Sequence, residues 1–295
     1  MRRLVFLLLL SSVCFFTLSE VVDNNFSKCK KFFLNNAPPD FTPALGVSVG
    51  LTPICQCLWN DNDEQVYLYA TLYSTTWKIP VYSAYKFGSP NIGRCDVWYI
   101  EPQLDGDEEP CMRPTGYGKN IGKNQAVYKD YKNYKDYNKG HLYPVLHTNN
   151  HLSMLATSTL TNAAPQSASF NQIQWLKHEK AVIEDLKSCD DPLQAYVVTG
   201  VVPNLDQNVP KLNGKVTVSL YYWRAFCCLK GDQYTGKGYY GPDNGEVKEL
   251  TIIKLQEKLI GFYNTVTNIF TKLQIFPSIP KDRLPKKPRI EYVCN

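Results

Sequence analysis

The chain has 295 residues, enough for one large domain or two ordinary ones. Apolar residues make up 44% of it, which excludes a disordered or low-complexity chain, and its 20 tyrosines favour β-structure. A formal net charge of +5 permits contact with nucleic acid but does not select for it.

Met1-Arg2-Arg3 followed by a mostly apolar run from Leu4 to Leu18 and the small residue Ser19 has the layout of a secretory signal peptide. A run of that length is short for a bilayer span, so a membrane anchor is the weaker alternative. The expectation is a leader over residues 1–19 and a secreted, extracellular chain beginning near Glu20. Nine of the ten cysteines follow the leader. An oxidising compartment makes them disulfide staples, and an odd number leaves at least one thiol free or paired between chains. Adjacent Cys227 and Cys228 are expected to bond different partners. Asn25-Phe26-Ser27 is a glycosylation sequon.

Residues 20–60 are rich in Pro and Asn, and Asn60 to Glu64 reads as a solvated turn. Gln65–Thr75 and Ile79–Phe87 read as an antiparallel pair of strands, and Asp96–Glu101 as a third, short one. Residues 103–138 are irregular and polar. Phe170–Lys187 reads as a helix with Ile173, Leu176, Ile183 and Leu186 on its apolar face and Ser169 as its cap. Ala195–Val202 and Val216–Leu229 read as strands, and Glu246–Phe262 as a second helix with Leu250, Ile253 and Ile260 on one side. Residues 277–295 form a Pro- and Lys-rich tail. Strand pairs mixed with two or three helices predict an α+β class, with residues 20–295 as a single domain.

The chemistry is concentrated between Asn138 and Glu179. Asn138-Lys139-Gly140-His141 is followed by Thr161-Asn162-Ala163-Ala164-Pro165-Gln166, then Phe170-Asn171, Trp175 and Glu179. Cleaving a phosphodiester needs a base to deprotonate water and a cation to stabilise charge on the phosphate and leaving oxygen. A neutral imidazole suits the first task. Amide and carboxylate oxygens suit Mg²⁺, which keeps most of its waters and takes one or two protein ligands. Asn171 and Glu179, eight apart, are separated by two helical turns plus roughly 80°, so both can face one cleft.

This stretch resembles the DNA/RNA non-specific endonuclease family, whose signature runs D-R-G-H, T-N-x-x-P-Q, then [FL]-N-x-x-x-W-x-x-x-E. Within that family it is similar to the secreted branch of endonuclease domain-containing 1 proteins. Cys29 to Pro39, Tyr69 to Phe87, Ile100 to Leu104, Tyr196 to Pro203 and Trp223 to Cys228 carry the likeness through residues 29–262. The resemblance implies a ββα-metal, or His-Me finger, fold: a mainly antiparallel sheet flanked by helices. It implies His141 as general base, Asn171 as the direct ligand of Mg²⁺ (Mn²⁺ a possible substitute) and Glu179 as the acid that acts on the ion through water. It further implies Asn162 as a supporting active-site residue, Lys139 in the place of a phosphate-contacting Arg, and hydrolysis of DNA and RNA backbones to 5′-phosphate ends.

Two positions depart from the signature. Lys139 replaces Arg and loses the planar fork for phosphate. Asn138 replaces Asp and removes a negative charge beside the base, which lowers the imidazole pKa. The alternative is therefore a catalytically weakened or inactive nuclease-fold binding protein. Tyr128 to Tyr137 carries Tyr at every third position with Lys between. It reads first as a solvated loop whose rings pack on the domain surface, with substrate guidance as the second possibility. His147 and His151, four apart, read as ordinary surface residues.

Overall fold

The computed structural model describes residues 26–89, 93–265 and 268–278. The expected leader, the sequon asparagine Asn25 and most of the C-terminal tail, with Cys294, lie outside these residues. Thirteen strands and four α-helices are present among those described. In chain order, the first strands are β1 (Asp40–Pro43), β2 (Leu51–Trp59), β3 (Gln65–Ser74), β4 (Ile79–Lys86), β5 (Tyr99–Ile100) and β6 (Arg113–Pro114). Helix α1 (Tyr128–Tyr131), β7 (Tyr137–His141), α2 (His151–Thr157), β8 (Ala163–Ser167) and α3 (Leu176–Leu186) follow. The chain continues through β9 (Tyr196–Pro203), β10 (Ser219–Lys230), β11 (Gln233–Pro242), β12 (Lys248–Leu250), α4 (Ile252–Tyr263) and β13 (Phe270–Gln274).

Seven strands form one antiparallel sheet in the order β12-β11-β10-β9-β4-β3-β2. Both faces are covered, so the central strands β4 and β9 are buried almost throughout and lack the polar alternation of a half-solvated sheet. On one face, Trp223 of β10 stacks with Phe41, and its indole N–H donates to Tyr263 of α4 at 3.2 Å. On the other face, Tyr85, Tyr222 and Arg224 reach the layer that holds β7, β8 and α3, and Thr199 holds the Arg224 side chain within the sheet. There β7 and β8 pair antiparallel, His141 opposite Ala163, and the chain runs from β8 straight into the helix ending at Leu186. This strand–strand–helix unit is built around His141.

Among the described residues, three disulfides join Cys29 to Cys55, Cys57 to Cys111 and Cys189 to Cys228. Cys227 is bonded separately from its neighbour Cys228, as expected, and Cys95 is the free thiol among the described residues. No helix among those residues is long and apolar enough to cross a membrane.

Several expected elements move. The helix expected from Phe170 opens with a π-helical segment, Phe170–Trp175, and Ser169 makes no side-chain cap bond. A π turn holds more residues than an α turn, so the inward stripe is rotated from the expected one. Phe170, Trp175, His178, Glu179, Val182 and Leu186 are buried, whereas Ile173 is 61% exposed. The second helix starts at Ile252 rather than Glu246, because Lys248–Leu250 pairs with β11 and the Thr251 side chain accepts from the Lys254 N–H. Its inward residues are Ile252, Leu255, Leu259 and Tyr263, and Ile253 faces outward. His147 is not a surface residue. It is fully buried beneath α3, with Nδ1 2.9 Å from the Tyr85 hydroxyl and Nε2 3.1 Å from the Glu179 carbonyl oxygen.

Candidate active site

A cleft of about 230 Å³ opens between the β7–β8 hairpin and the π-helical turn. Its walls include His141, Asn171 and Glu179, three of the five residues singled out in the sequence, together with Arg94, Gln166 and Trp175. Strand pairing positions His141 at the end of β7, and the Asn171, Trp175, Glu179 spacing of four follows one face of the π-to-α helix.

His141 stands half-buried in the wall. Its Nε2 lies 3.3 Å from Ser158 Oγ, the ring also hydrogen-bonds the Lys139 backbone, and the Trp98 ring packs against it at 5.1 Å. Burial, reinforced by the positive charges of Arg94 and Lys139, lowers its pKa to about 3. The imidazole is therefore neutral at physiological pH and able to accept a proton. Glycine is required at position 140. A Cβ there would sit 2.5 Å from Gln166 Oε1 and 2.6 Å from Gln166 Cβ, so the glutamine packs directly over the β7 backbone.

Glu179 is buried in the helix wall. Burial pushes its carboxyl up to about 7, against the pull of Arg224, whose Nη2 lies 3.5 Å from Glu179 Oε1. Arg224 is itself fully buried. It donates from Nε to Thr199 Oγ1 at 2.8 Å and from Nη2 to the Leu142 carbonyl at 3.3 Å, and it lies over the Trp175 ring at 4.9 Å.

Asn162 does not line the cleft. It is completely buried and clamps the chain after His141. Its Oδ1 accepts from the Tyr143 N–H at 3.0 Å, and its Nδ2 donates to the Tyr143 and Thr157 carbonyls at 3.0 and 2.8 Å. Lys139 is also absent from the cleft wall. Its ammonium sits over the rings of Trp98, Tyr128 and Tyr131 at 4.9, 4.8 and 5.9 Å. The positive group that does line the cleft is Arg94, ion-paired with Asp96 at 2.9 Å. Nothing in the loop sequence Gly93-Arg94-Cys95-Asp96 distinguishes it, and sequence reasoning passed it over. Arg224 was hidden within a stretch read as an aromatic strand.

The donor set suits a hard cation held largely by water. Asn171 and Glu179 offer oxygens, and Gln166 lines the same cleft with both amide atoms buried and unpartnered. Among the described residues no group of three or more His, Cys, Asp and Glu is arranged as an all-protein metal cage.

Known proteins resemble the chain in sequence and in fold. The chain is 30% identical over 248 residues to the endonuclease domain-containing 1 protein of Homo sapiens, covering 80% of this chain and 46% of that protein. It is 30% identical over 215 residues to the protein of the same name in Mus musculus, covering 69% of this chain and 39% of that protein. The chain thus spans less than half the length of both relatives. A chain in the crystal structure of the EndoG/EndoGI complex, described as the mechanism of EndoG inhibition, superposes with a TM-score of 0.53 at 16% identity. That match covers 75% of this chain and 88% of the other, and the likeness is one of fold, the ββα-metal arrangement. The sequence model of the DNA/RNA non-specific endonucleases matches residues 59–277, and the chain belongs to that family.

Proposed function

We propose that this protein is a secreted, metal-dependent endonuclease, a single domain that hydrolyses DNA and RNA phosphodiesters without regard to the sugar and leaves 5′-phosphate ends. One observation carries the reading: His141, Asn171 and Glu179, spread over 39 residues of chain, line one cleft. In this reading neutral His141 takes the proton from the attacking water. Burial first, then the charges of Arg94 and Lys139, disfavour the protonated ring, which keeps the base unprotonated before attack and weakens its pull on the water proton. Asn171 would hold Mg²⁺, with Mn²⁺ as substitute, and Glu179 would orient the ion's water shell. The ion supplies positive charge for the phosphate and the leaving oxygen. Arg94, which lines the same cleft, offers a guanidinium to the phosphate, and Asn162 keeps the His141 backbone in register. Contacts of this kind address phosphate and sugar rather than base edges, which fits cleavage without sequence preference.

Plasmid nicking by the purified protein tests this. Supercoiled DNA should relax with Mg²⁺, with EDTA abolishing cleavage and His141→Ala reducing it about a hundredfold or more. Cleavage that survives both controls rejects the site. The second reading is a catalytically weakened extracellular binding protein. It is favoured by the Asn138-Lys139 departure and by the seating of the Lys139 ammonium among three rings. On that reading, Asn138→Asp with Lys139→Arg raises activity sharply; native cleavage at rates ordinary for the family refutes it.

A further inference from the structure

A second cavity, of about 530 Å³, lies beside the candidate active site and belongs to no part of the chemistry above. Its volume falls within the roughly 300–1,000 Å³ typical of ligand pockets. One wall is the loop from Gly116 to Gly122, where Gly116, Gly118, Asn120 and Gly122 all take left-handed backbone angles. The other wall is the start of α1. Two tyrosines line the cavity and remain open to solvent, Tyr117 at 38% and Tyr128 at 46% exposure. Each carries a cation against its ring: Arg113 at 5.8 Å from Tyr117, and Lys139 at 4.8 Å from Tyr128. Lys129 and Lys132 line the cavity as well, both exposed.

The Tyr-Lys run between Tyr128 and Tyr137 divides accordingly. Tyr131 is buried, and the Tyr134 hydroxyl accepts from the Asn213 N–H, so these rings build the domain. Asp130 is buried too, accepting from the Val127 N–H and the Asn213 side chain, which removes its charge from the surface. Tyr128, Lys129 and Lys132 are left facing the cavity. Continuity with the catalytic cleft runs through packed rings. Tyr128 holds Lys139, Lys139 lies 4.9 Å from Trp98, and Trp98 packs on His141.

We infer that this cavity is a subsite for single-stranded nucleic acid, in which unpaired bases stack on Tyr117 and Tyr128 while Lys129 and Lys132 meet the backbone. Exposed aromatic faces flanked by lysines are the chemistry that recognises bases out of a duplex, since every base offers a π face and a paired, stacked base conceals it. The cavity is concave and walled by rings, so a duplex, with its bases turned inward, presents nothing to it but phosphate. The inference rests on the nuclease reading, because it places a segment of substrate next to the strand being cut.

The test is fluorescence anisotropy with the full chain carrying His141→Ala, so that bound DNA survives. A labelled single-stranded DNA oligonucleotide and a duplex of the same length are titrated separately. Tyr117→Ala and Tyr128→Ala should each weaken single-strand binding about fivefold or more, with duplex binding changed less than about twofold. Tyr117→Phe and Tyr128→Phe should retain affinity, since stacking needs the ring and not the hydroxyl. Lys129→Gln with Lys132→Gln should flatten the salt dependence of single-strand binding. Tyr117 is the cleaner arm, because it touches neither Lys139 nor the cleft. Equal losses on both DNAs, no loss in the alanine variants, loss in the phenylalanine variants, or no measurable single-strand binding would each overturn the subsite. A nuclease reading that fails does so independently, in plasmid nicking that ignores His141.

Discussion

Arg224 Nη2 lies 3.5 Å from Glu179 Oε1 and 3.3 Å from the Leu142 carbonyl oxygen, so one fully buried guanidinium joins the helix that carries Asn171 and Glu179 to the strand end that carries His141. The two halves of the candidate site lie on different elements, and this arginine is a direct polar tie between them. Removing it leaves a buried carboxyl without its cation and a carbonyl without its donor. Arg224→Met should therefore cost about 3–5 kcal/mol of stability in urea unfolding. Where the variant still folds, nicking activity should fall further than the remaining folded fraction explains. Arg224→Lys keeps the charge but cannot reach Thr199, Leu142 and Glu179 together, so it should fall between the two. Wild-type stability in Arg224→Met would remove the tie from the account.

Gly140 gives a second, local prediction. Gln166 Cβ and Cδ lie 2.6 and 2.9 Å from where a Cβ at position 140 would be. Gln166 Cβ is fixed to the β8 backbone and cannot swing aside. Gly140→Ala should thus part the β7–β8 pair next to His141, costing about 1–3 kcal/mol, and activity should drop more than stability. A variant with unchanged melting and unchanged nicking would show that the hairpin absorbs the methyl group elsewhere.

How much of this was legible beforehand depended on how far each signal reaches along the chain. His141, Asn171 and Glu179 sit in separate segments of one ordered motif, and the structure brings these three to one cleft. Strands β3, β4 and β9 were found within a residue or two at each end, because long runs of tyrosine and β-branched residues leave few alternatives. Strand β2, with Pro53 and two cysteines, has no such pattern. Its pairing depends on β3 beside it and on disulfides to Cys29 and Cys111. Arg224 read as one charge in an aromatic strand, and its partner lies 45 residues away, beyond any local spacing rule. His147 looked like a loop histidine because only the folded chain lays α3 and Tyr85 over it. The π turn at Phe170–Trp175 has no recognisable spacing of its own, so the expected helix face was rotated.

Asn162 tests positioning apart from chemistry. Its amide donates to two carbonyls and accepts one N–H, all on backbone that flanks the His141 strand end or closes α2. Asn162→Asp has nearly the same shape but no donors, and it points a carboxylate at the Tyr143 and Thr157 carbonyls. Stability should fall by about 2–4 kcal/mol, summing a lost bond to each carbonyl with the cost of a buried acid. Because Asn162 does not line the cleft, KM for DNA should change little while kcat falls through displacement of His141. A variant with wild-type kcat would show that the clamp is dispensable to the base.

The buried titratable groups set an unusual balance in pH. His141, lowered to about 3, and His147 and His178, both lowered well below the usual histidine value, are disfavoured as cations by burial first and by neighbouring positive groups second. Folded, they stay neutral; unfolded, they take up protons near pH 6.5. Their contribution is therefore complete above that pH and is lost as pH falls below it. Burial acts oppositely on Glu179 and Asp243, both pushed up to about 7, against the pull of Arg224 on the first and of the Ser167 N–H on the second. Folded, these two gain protons from about pH 7 downward; unfolded, only near pH 4, so acidification relieves their cost. Between pH 6 and 5 the unfolded chain holds about three of these protons and the folded chain about two. Stability should fall on acidification by about 1.4 kcal/mol per pH unit, the slope of one proton. Glu179→Gln together with Asp243→Asn removes the opposing pair, and the slope should steepen towards that of three protons. Urea unfolding at pH 5, 6 and 7 measures both slopes. Equal slopes in the wild type and the double variant would mean that these carboxyls titrate alike in the folded and unfolded chain.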